Sequence, residues 1–389
     1  MISGTHHWAA QERVIYGKPV VEALAEEISR SASKRIFITT TKSITGGALV
    51  TRIVKSLGER FVGKFDAISA HSPREAVLAG SDALRAARAD LIVAVGGGSV
   101  IDATKVMLLA LWRDARDPAA LSALAGVRGS AANEASAWGA EAQRLRMIAV
   151  PTTLSAAEFF PSAGVTDVQK RVKQMYFHPL VVPKAVILDP AATLETPLEL
   201  LLSTGMRAVD HAVEGWCSVK TAPMADATNR EAMRLLFNSL SGIKTESKNL
   251  EHRALAQQGM WLTRMGAMAG VPNGASHGIG YLLGGGYGIP HGITSCVTLP
   301  AVMEWNADVN AGRQTEVAAA FGGGGQGAAN VLRQFISGLD LPTRLRDLQL
   351  KKEDLPKIAA SWDGTGPIAT NPRKVRGKDD LLEILELAW

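Results

Sequence analysis

The sequence predicts an α/β N-terminal half followed by an all-α C-terminal half, and three observations carry that prediction. From residue 13 to about 190, short β-branched runs alternate with longer Ala/Leu-rich stretches of helical spacing, the pattern of a layered βα fold. Asp90-Leu-Ile-Val-Ala-Val95 is apolar on both faces, as a central parallel strand must be, and runs directly into Gly96-Gly97-Gly98. After residue 195 the strand signal disappears, and Ala/Leu/Met-rich stretches of helical spacing follow. A chain of 389 residues exceeds one compact core, and Asp189-Pro190 marks a turn, so the expected domains are 1–190 and 191–389.

Composition narrows the function classes. Apolar residues make up 47% and charged residues 20%, as in a soluble globular protein. The net charge of +5 is the difference between 42 basic and 37 acidic residues, and the basic ones are scattered. That pattern argues against a nucleic-acid groove, whereas a basic balance suits an anionic substrate or cofactor. Cys217 and Cys296 are too few and too far apart for a disulfide framework or a zinc site, which fits a reducing cytoplasm. No run reaches transmembrane length, and Met-Ile-Ser-Gly-Thr-His-His-Trp8 lacks the pattern of a secretory leader. A soluble, cytoplasmic protein is expected.

In chain order, Arg35–Thr41 reads as a buried strand, and residues 47–58 and 74–88 have helical spacing. The second helix is expected to open after Ser72-Pro73, with a serine cap and a first-turn proline. The turn Gly96-Gly97-Gly98-Ser99 lies between a strand and a helix, where exposed N–H groups and the helix dipole favour a phosphate. It is not G-x-G-x-x-G, because Ile101 stands at the third glycine, and it is not a P-loop. The competing reading is a tight βα turn with Ser99 capping the helix. Residues 113–145 read as a surface insertion. Met147–Val150 reads as a strand ending at Pro151, which delivers Thr152, Thr153 and Ser155 to the carboxyl edge of the sheet. Val181–Asp189 reads as the last strand.

In the second half, helical stretches are expected at 198–220, 223–242, 250–271, 291–310, 313–320 and 326–338, with a final helix after Asn371-Pro-Arg. Within the first, Arg207, His211 and Glu214 fall at i, i+4 and i+7 on one face, while Asp210 points roughly 100° away from His211. Such a stripe is either a solvated face or the polar wall of a cleft. Ser276–Pro300 carries His277 and His291 around Gly284-Gly285-Gly286 and Gly288-Ile289-Pro290. Those glycines predict that one helix ends, a loop turns back, and another begins near His291, bringing both rings into one pocket.

These segments together resemble the iron-containing (group III) alcohol dehydrogenase superfamily over nearly the whole chain, near its maleylacetate reductases. The resemblance rests on Gly96-Gly97-Gly98-Ser99 with Asp102 and Lys105, Pro151-Thr152-Thr153, Asp189-Pro190, Gly205-Met206 with His211-Ala212 and Glu214, and His277 with Ile289-Pro290-His291-Gly292. It implies a dehydroquinate synthase-like fold: an α/β domain binding NAD or NADP, a helical catalytic domain, and a cleft for hydride transfer. It further implies that Gly96, Gly97, Gly98, Ser99 and Asp102 hold the pyrophosphate region. Thr152, Thr153 and Leu154 would lie on the nicotinamide side, and Thr41 near the adenosine ribose. Because Thr41 replaces the aspartate frequent in NAD-preferring relatives and Lys42 follows, neither coenzyme is excluded. A homodimer through the strand near Arg13-Val-Ile-Tyr16 is a family expectation.

One departure changes the chemistry. Metal-dependent relatives ligate Fe²⁺ or Zn²⁺ with an aspartate and three histidines, and the aspartate position is Arg207 here. The histidines match as His211, His277 and His291. Arginine only donates hydrogen bonds and keeps its charge, so no bound metal is expected. Arg207 would then polarise a carbonyl or pair with a substrate carboxylate, and His277, His291 or Tyr281 would supply the proton. His211 would orient the substrate or Arg207, with Glu214 holding a histidine tautomer. The resemblance leaves three readings: a metal-independent reductase of a carboxylated keto or enol compound, an alcohol dehydrogenase or aldehyde reductase for a neutral substrate, and a non-catalytic dinucleotide-binding relative.

Overall fold

The computed structural model describes residues 3–6, 8, 10–70, 72–126, 145–168, 170 and 172–389. His71 and most of the expected surface insertion, residues 127–144, lie outside the described residues. The chain divides into two compact units, Trp8–Thr196 and Pro197–Trp389.

The first unit follows the order β1 (Arg13–Tyr16), α1 (Val20–Ser31), β2 (Ile36–Thr39), α2 (Ala48–Leu57), β3 (Phe61–Phe65), α3 (Arg74–Ala87), β4 (Leu91–Gly96), α4 (Gly98–Trp112), α5 (Pro118–Ala123), β5 (Met147–Pro151), β6 (Ser162–Asp167), β7 (Val172–Phe177) and β8 (Ala185–Leu188). Six strands form one sheet in the order β1-β8-β5-β4-β2-β3, and every neighbouring pair is parallel. β2, β4, β5 and β8 are buried along their whole length, which is why their sequences are continuously apolar instead of alternating. The connection from β2 leads to β3 on one side, while that from β4 leads to β5 on the other. The carboxyl ends of β2 and β4 therefore flank the switch point at which open α/β sheets bind ligands.

The antiparallel hairpin β6–β7, pairing Ser162 with Phe177 through Asp167 with Val172, was not expected from the sequence. Long-range contacts hold it. Arg74 Nη1 donates to Asp167 Oδ2 at 2.7 Å in a buried ion pair. Lys105, fully buried, donates from Nζ to the carbonyls of Ala157, Phe160 and Ser162 at 2.6, 2.7 and 2.9 Å.

Three local expectations are corrected. The last strand starts at Ala185, because Pro179–Val181 forms a 3-10 turn in which His178 Nδ1 accepts from the Leu180 N–H. Ser72 does not cap α3: Pro73 occupies the cap position, and Ser72 sits at φ 50° with its hydroxyl donating to Ser99 O at 2.8 Å. Nor does Ser99 cap α4, whose cap is Gly97 with no side-chain bond.

The second unit contains no strand among its described residues. Its helices are α6 (Leu198–Trp216), α7 (Pro223–Thr245), α8 (Leu250–Leu262), α9 (Met265–Met268), α10 (Ala275–Tyr287), α11 (His291–Trp305), α12 (Ala307–Ala320), α13 (Ala328–Gly338), α14 (Leu355–Ala360) and α15 (Lys378–Ala388). The expected helix, turn and second helix beginning at His291 are present, but the glycine triplet does not make the turn. Gly284-Gly285-Gly286 stay inside α10, and the left-handed residue that ends it is Gly288, at φ 67°. Several glycines instead permit close helix contact. A Cβ on Gly280 would stand 2.8 Å from Thr294 Oγ1, one on Gly284 2.9 Å from the His291 ring, and one on Gly292 2.5 Å from the Ser203 carbonyl oxygen. The absence of side chains lets α10, α11 and α6 pack closely, which positions the histidines.

Candidate active site

In the first unit, candidate residues gather at the carboxyl ends of β4 and β5. Gly96 adopts φ 156°, which favours glycine, and its carbonyl accepts from the Thr152 N–H at 3.1 Å. A Cβ on Gly97 would meet Thr153 Cγ2 at 2.9 Å, and one on Gly98 would meet Ser155 Oγ at 2.9 Å. The glycine run thus lets the Thr152–Ser155 loop lie against the first turn of α4. Thr153 Oγ1 is buried there without a hydrogen-bond partner, beside backbone N–H groups that no side chain caps. A buried hydroxyl left unpaired is costly, and a bound anionic group would satisfy it. These residues fit a dinucleotide phosphate.

Ser99 opens the helix beside Gly98, and Leu154 is buried. Asp102 Oδ2 accepts from the Gly164 N–H at 3.1 Å, so this carboxylate ties α4 to the hairpin. Thr41 follows β2 and shares a 2.7 Å hydrogen bond with Ser43 Oγ.

In the second unit, α6 places Arg207, Asp210, His211 and Glu214 in buried positions. α10 adds His277, fully buried, and Tyr281, which is 42% exposed. α11 adds half-buried His291 and buried Ser295. The Arg207 guanidinium carbon lies 5.8 Å from the Tyr281 ring centre, and the Tyr281 and His291 rings meet edge-on at 5.9 Å. The His211 and His277 ring centres are 4.7 Å apart. All five candidate catalytic side chains therefore belong to one neighbourhood.

The expectation that Asp210 faces away from this group is overturned. Its Oδ2 lies 3.3 Å from Arg207 Nη1, 2.6 Å from Ser295 Oγ and 3.3 Å from His277 Nδ1. A roughly 100° offset on one helix still leaves a side chain inside the contact zone when two other helices close around it. Sequence reasoning also missed Ser295, although it stands one helical turn after His291, and Arg264, which is buried and close enough to depress both histidines.

Glu214 organises the inner end. Its Oε1 accepts from the Ser276 N–H at 2.7 Å, and its Oε2 accepts from the Gly274 N–H at 2.8 Å and faces His277 Nδ1 at 2.7 Å. Burial pushes the Glu214 carboxyl up to about 7, against the backbone donors that favour its charge. Burial likewise raises Asp210, opposed by His277 and Arg207. His211 and His277 are held well below the usual imidazole value, by burial first and then by Arg207 and Arg264 nearby. Both rings are therefore neutral at pH 7. His277 Nε2 and His211 Nδ1 are buried without partners.

Asp210, Glu214 and His277 bring candidate ligand atoms within 4.8 Å of one another. Asp210 Oδ2 and both Glu214 oxygens already have partners, whereas Asp210 Oδ1 and His277 Nε2 have none. Glu214 Oε2 faces two donors and Asp210 Oδ2 three, and one of the groups against Asp210 is a guanidinium.

A parallel sheet with a glycine turn at its switch point, joined in sequence to a helical unit carrying a buried Arg-His-Glu cluster, defines a two-domain dehydrogenase. Comparison with known proteins gives the family. The pattern described as iron-containing alcohol dehydrogenase matches residues 11–190, and the C-terminal pattern of the Fe-containing alcohol dehydrogenase family matches 201–389. The chain belongs to the iron-containing alcohol dehydrogenase family and is an oxidoreductase of the alcohol dehydrogenase and maleylacetate reductase type. The dehydrogenase ALT3 of Alternaria alternata is 30% identical over 388 residues, covering 92% of this chain and 99% of its own. Lactaldehyde reductase of Escherichia coli K12 is 27% identical over 97% of this chain and 98% of its own. The crystal structure of maleylacetate reductase from Rhizobium sp. strain MTP-10005 superposes with a TM-score of 0.81 at 26% identity, covering 100% of this chain and 99% of that one.

Proposed function

We propose that this protein is an NAD(P)H-dependent reductase of a carboxylated keto or enol compound, and that it works without a bound metal. One observation carries the reading: Arg207 is buried in the helical unit, at the position to which the family resemblance assigns a ligand carboxylate in metal-dependent relatives. The reading is supported by the two cations, Arg207 and Arg264, that both act on the histidine rings, and by Asp210 Oδ2 and both Glu214 oxygens already accepting hydrogen bonds, which together disfavour a divalent ion. In this reading the protein's own side chains do the work that a metal does in relatives.

The dinucleotide, when bound at the glycine turn, supplies the hydride. Reduction of a carbonyl leaves negative charge on oxygen, and the remaining N–H groups of Arg207 stabilise that charge or fix a substrate carboxylate. The proton reaches the oxygen from Tyr281 or His291, the two candidates that are not fully buried. His277 suits this task less well, since its neutral ring with a proton on Nδ1 toward Glu214 presents Nε2 as an acceptor. His211 and His277 would instead accept from a substrate hydroxyl. Thr41 and Lys42 leave the coenzyme open between NAD and NADP.

Relatedness to maleylacetate reductase supports a carboxylated substrate. A neutral aldehyde or ketone is the second reading, favoured by Asp210, whose carboxylate offsets the charge of Arg207. We place the protein in the cytoplasm, which two buried free thiols suit, and no helix among the described residues is long and apolar enough to cross a membrane. We further propose a homodimer through β1, which pairs with β8 on one side only among the described residues.

The test is oxidation of NADH and NADPH with maleylacetate, small aldehydes and ketones, with and without EDTA, and metal analysis of the same sample. Turnover of maleylacetate that survives EDTA supports the proposal. Turnover of only neutral carbonyls selects the second reading, and activity lost to EDTA and restored by Fe²⁺ or Zn²⁺ refutes the metal-free one.

A further inference from the structure

A guanidinium on a flexible side chain stabilises developing charge well only if its plane is fixed beforehand, because reorganisation during the reaction costs what the interaction gains. The contacts around Arg207 address that requirement. Nη1 is directed at Asp210 Oδ2, 3.3 Å away, and at Ser295 Oγ, 3.1 Å away. Ser295 Oγ in turn donates to the same Asp210 oxygen at 2.6 Å, which closes a triangle of three polar groups. Asp210 comes from the next turn of α6, whereas Ser295 comes from α11, so the triangle pins the side chain across two helices. Asp210 and Ser295 are completely buried, and Arg207 is 7% exposed. No protein hydrogen bond engages Nε or Nη2 of Arg207 among the described residues.

We propose that Asp210 and Ser295 are positioning residues for Arg207: they occupy Nη1 and fix the guanidinium plane, so that the Nε–Nη2 edge is the one a substrate oxygen meets. This inference rests on the reading that Arg207 acts on the substrate, and it explains the polar pair that accompanies the arginine. An isolated arginine in the place of a ligand carboxylate would be a buried charge without a partner. With Asp210 one turn away, the cation is neutralised locally and held from one side. The arrangement turns a position that holds a metal ligand in relatives into a fixed internal cation.

The variant that tests this is Ser295→Ala, which deletes one oxygen and leaves Asp210 and Arg207 in place. With the carbonyl compound that wild-type enzyme reduces fastest, kcat should fall roughly ten- to a hundredfold, as for small misplacements of a catalytic group, while the dinucleotide KM stays unchanged. Ser295→Thr, which keeps the hydroxyl, should restore most of the rate. In an Arg207→Lys background, Ser295→Ala should cause little further loss, since the two changes act on one unit. Wild-type rates in Ser295→Ala, a failure of Ser295→Thr to restore, or a full independent loss in the Arg207→Lys background would each overturn the inference.

A second measurement needs no substrate. In protein with isotope-labelled arginine, a pinned guanidinium gives separate Nη1 and Nη2 resonances, assigned to Arg207 by their disappearance in Arg207→Lys. They should be resolved in wild type and averaged in Ser295→Ala and Asp210→Asn. Averaged signals in wild type would overturn the inference even if the carboxylated-substrate reading stands, and resolved signals would sustain it even if that reading fails.

Discussion

Arg207 Nη1 lies 3.3 Å from Asp210 Oδ2, an ion pair three residues apart on one helix and buried on both sides. The pairing puts a permanent cation, with its own counter-charge, near His211 and His277, whose rings it helps to keep neutral. On the metal-free proposal, this pair gives the helical unit fixed hydrogen-bond donation in place of Lewis-acid activation.

Arg207→Ala should abolish turnover, with a loss of roughly a thousandfold or more in kcat/KM, as expected when a preorganised charge-stabilising donor is removed. Dinucleotide affinity should stay within about twofold, because the glycine turn belongs to the other unit. Steady-state kinetics and fluorescence titration with NADH measure both quantities. Unchanged turnover would remove Arg207 from the mechanism.

Arg207→Asp should convert the site. It would recreate the aspartate-and-three-histidine set that the family resemblance assigns to metal-dependent relatives, and it deletes one of the two cations acting on the histidines. Wild type purified from metal-supplemented medium should contain below about 0.1 Fe or Zn per chain, and the variant should approach one. Elemental analysis decides, with no need for activity. Stoichiometric metal in wild type would show that the cation does not exclude it.

Gly97→Ala tests the dinucleotide half. The added Cβ would lie 2.9 Å from Thr153 Cγ2 and would push the Thr152–Ser155 loop off the start of α4. The dinucleotide Kd should rise roughly tenfold or more, in line with one to two lost hydrogen bonds, while the helical unit keeps its stability. Calorimetric titration with NADH and NADPH provides the measurement. Wild-type affinity would place the phosphate elsewhere.

Glu214 gives a pH signature. Its folded-state pKa is raised to about 7 by burial, whereas an unfolded glutamate titrates near 4.3. The folded state holds this proton more tightly, so the contribution favours folding at pH below the unfolded value. It is lost as pH rises through the folded value. The stability of wild type relative to Glu214→Gln should therefore decline by roughly 3 kcal/mol between pH 4 and 8. Urea denaturation of both proteins across that range gives the difference, and a flat difference would contradict the raised value.

Much of the architecture was legible in the chain because its signals are local. The buried strand Leu91–Gly96, the glycine turn after it and the helical stretches beyond residue 195 appear where hydrophobic period and punctuation put them. The hairpin β6–β7 was not legible, since Lys105 and Arg74 hold it from distant helices. In Ser276–Pro300 the turn before His291 was legible, but the packing role of its glycines was not, for a related reason. A sequence shows that glycine loosens a backbone, but only the packed helices show that Gly280 and Gly284 are needed for the approach of Thr294 and His291.

The sequence by itself determined the two-part fold class, the glycine turn and the Arg207, His211, Glu214 stripe on one helix face, because each depends on residue type and short-range spacing. Only the tertiary structure decided that Asp210 and Ser295 join that arginine. An angular offset on one helix cannot tell which neighbouring helix closes against it, and here α10 and α11 bring His277 and Ser295 to the side on which Asp210 lies.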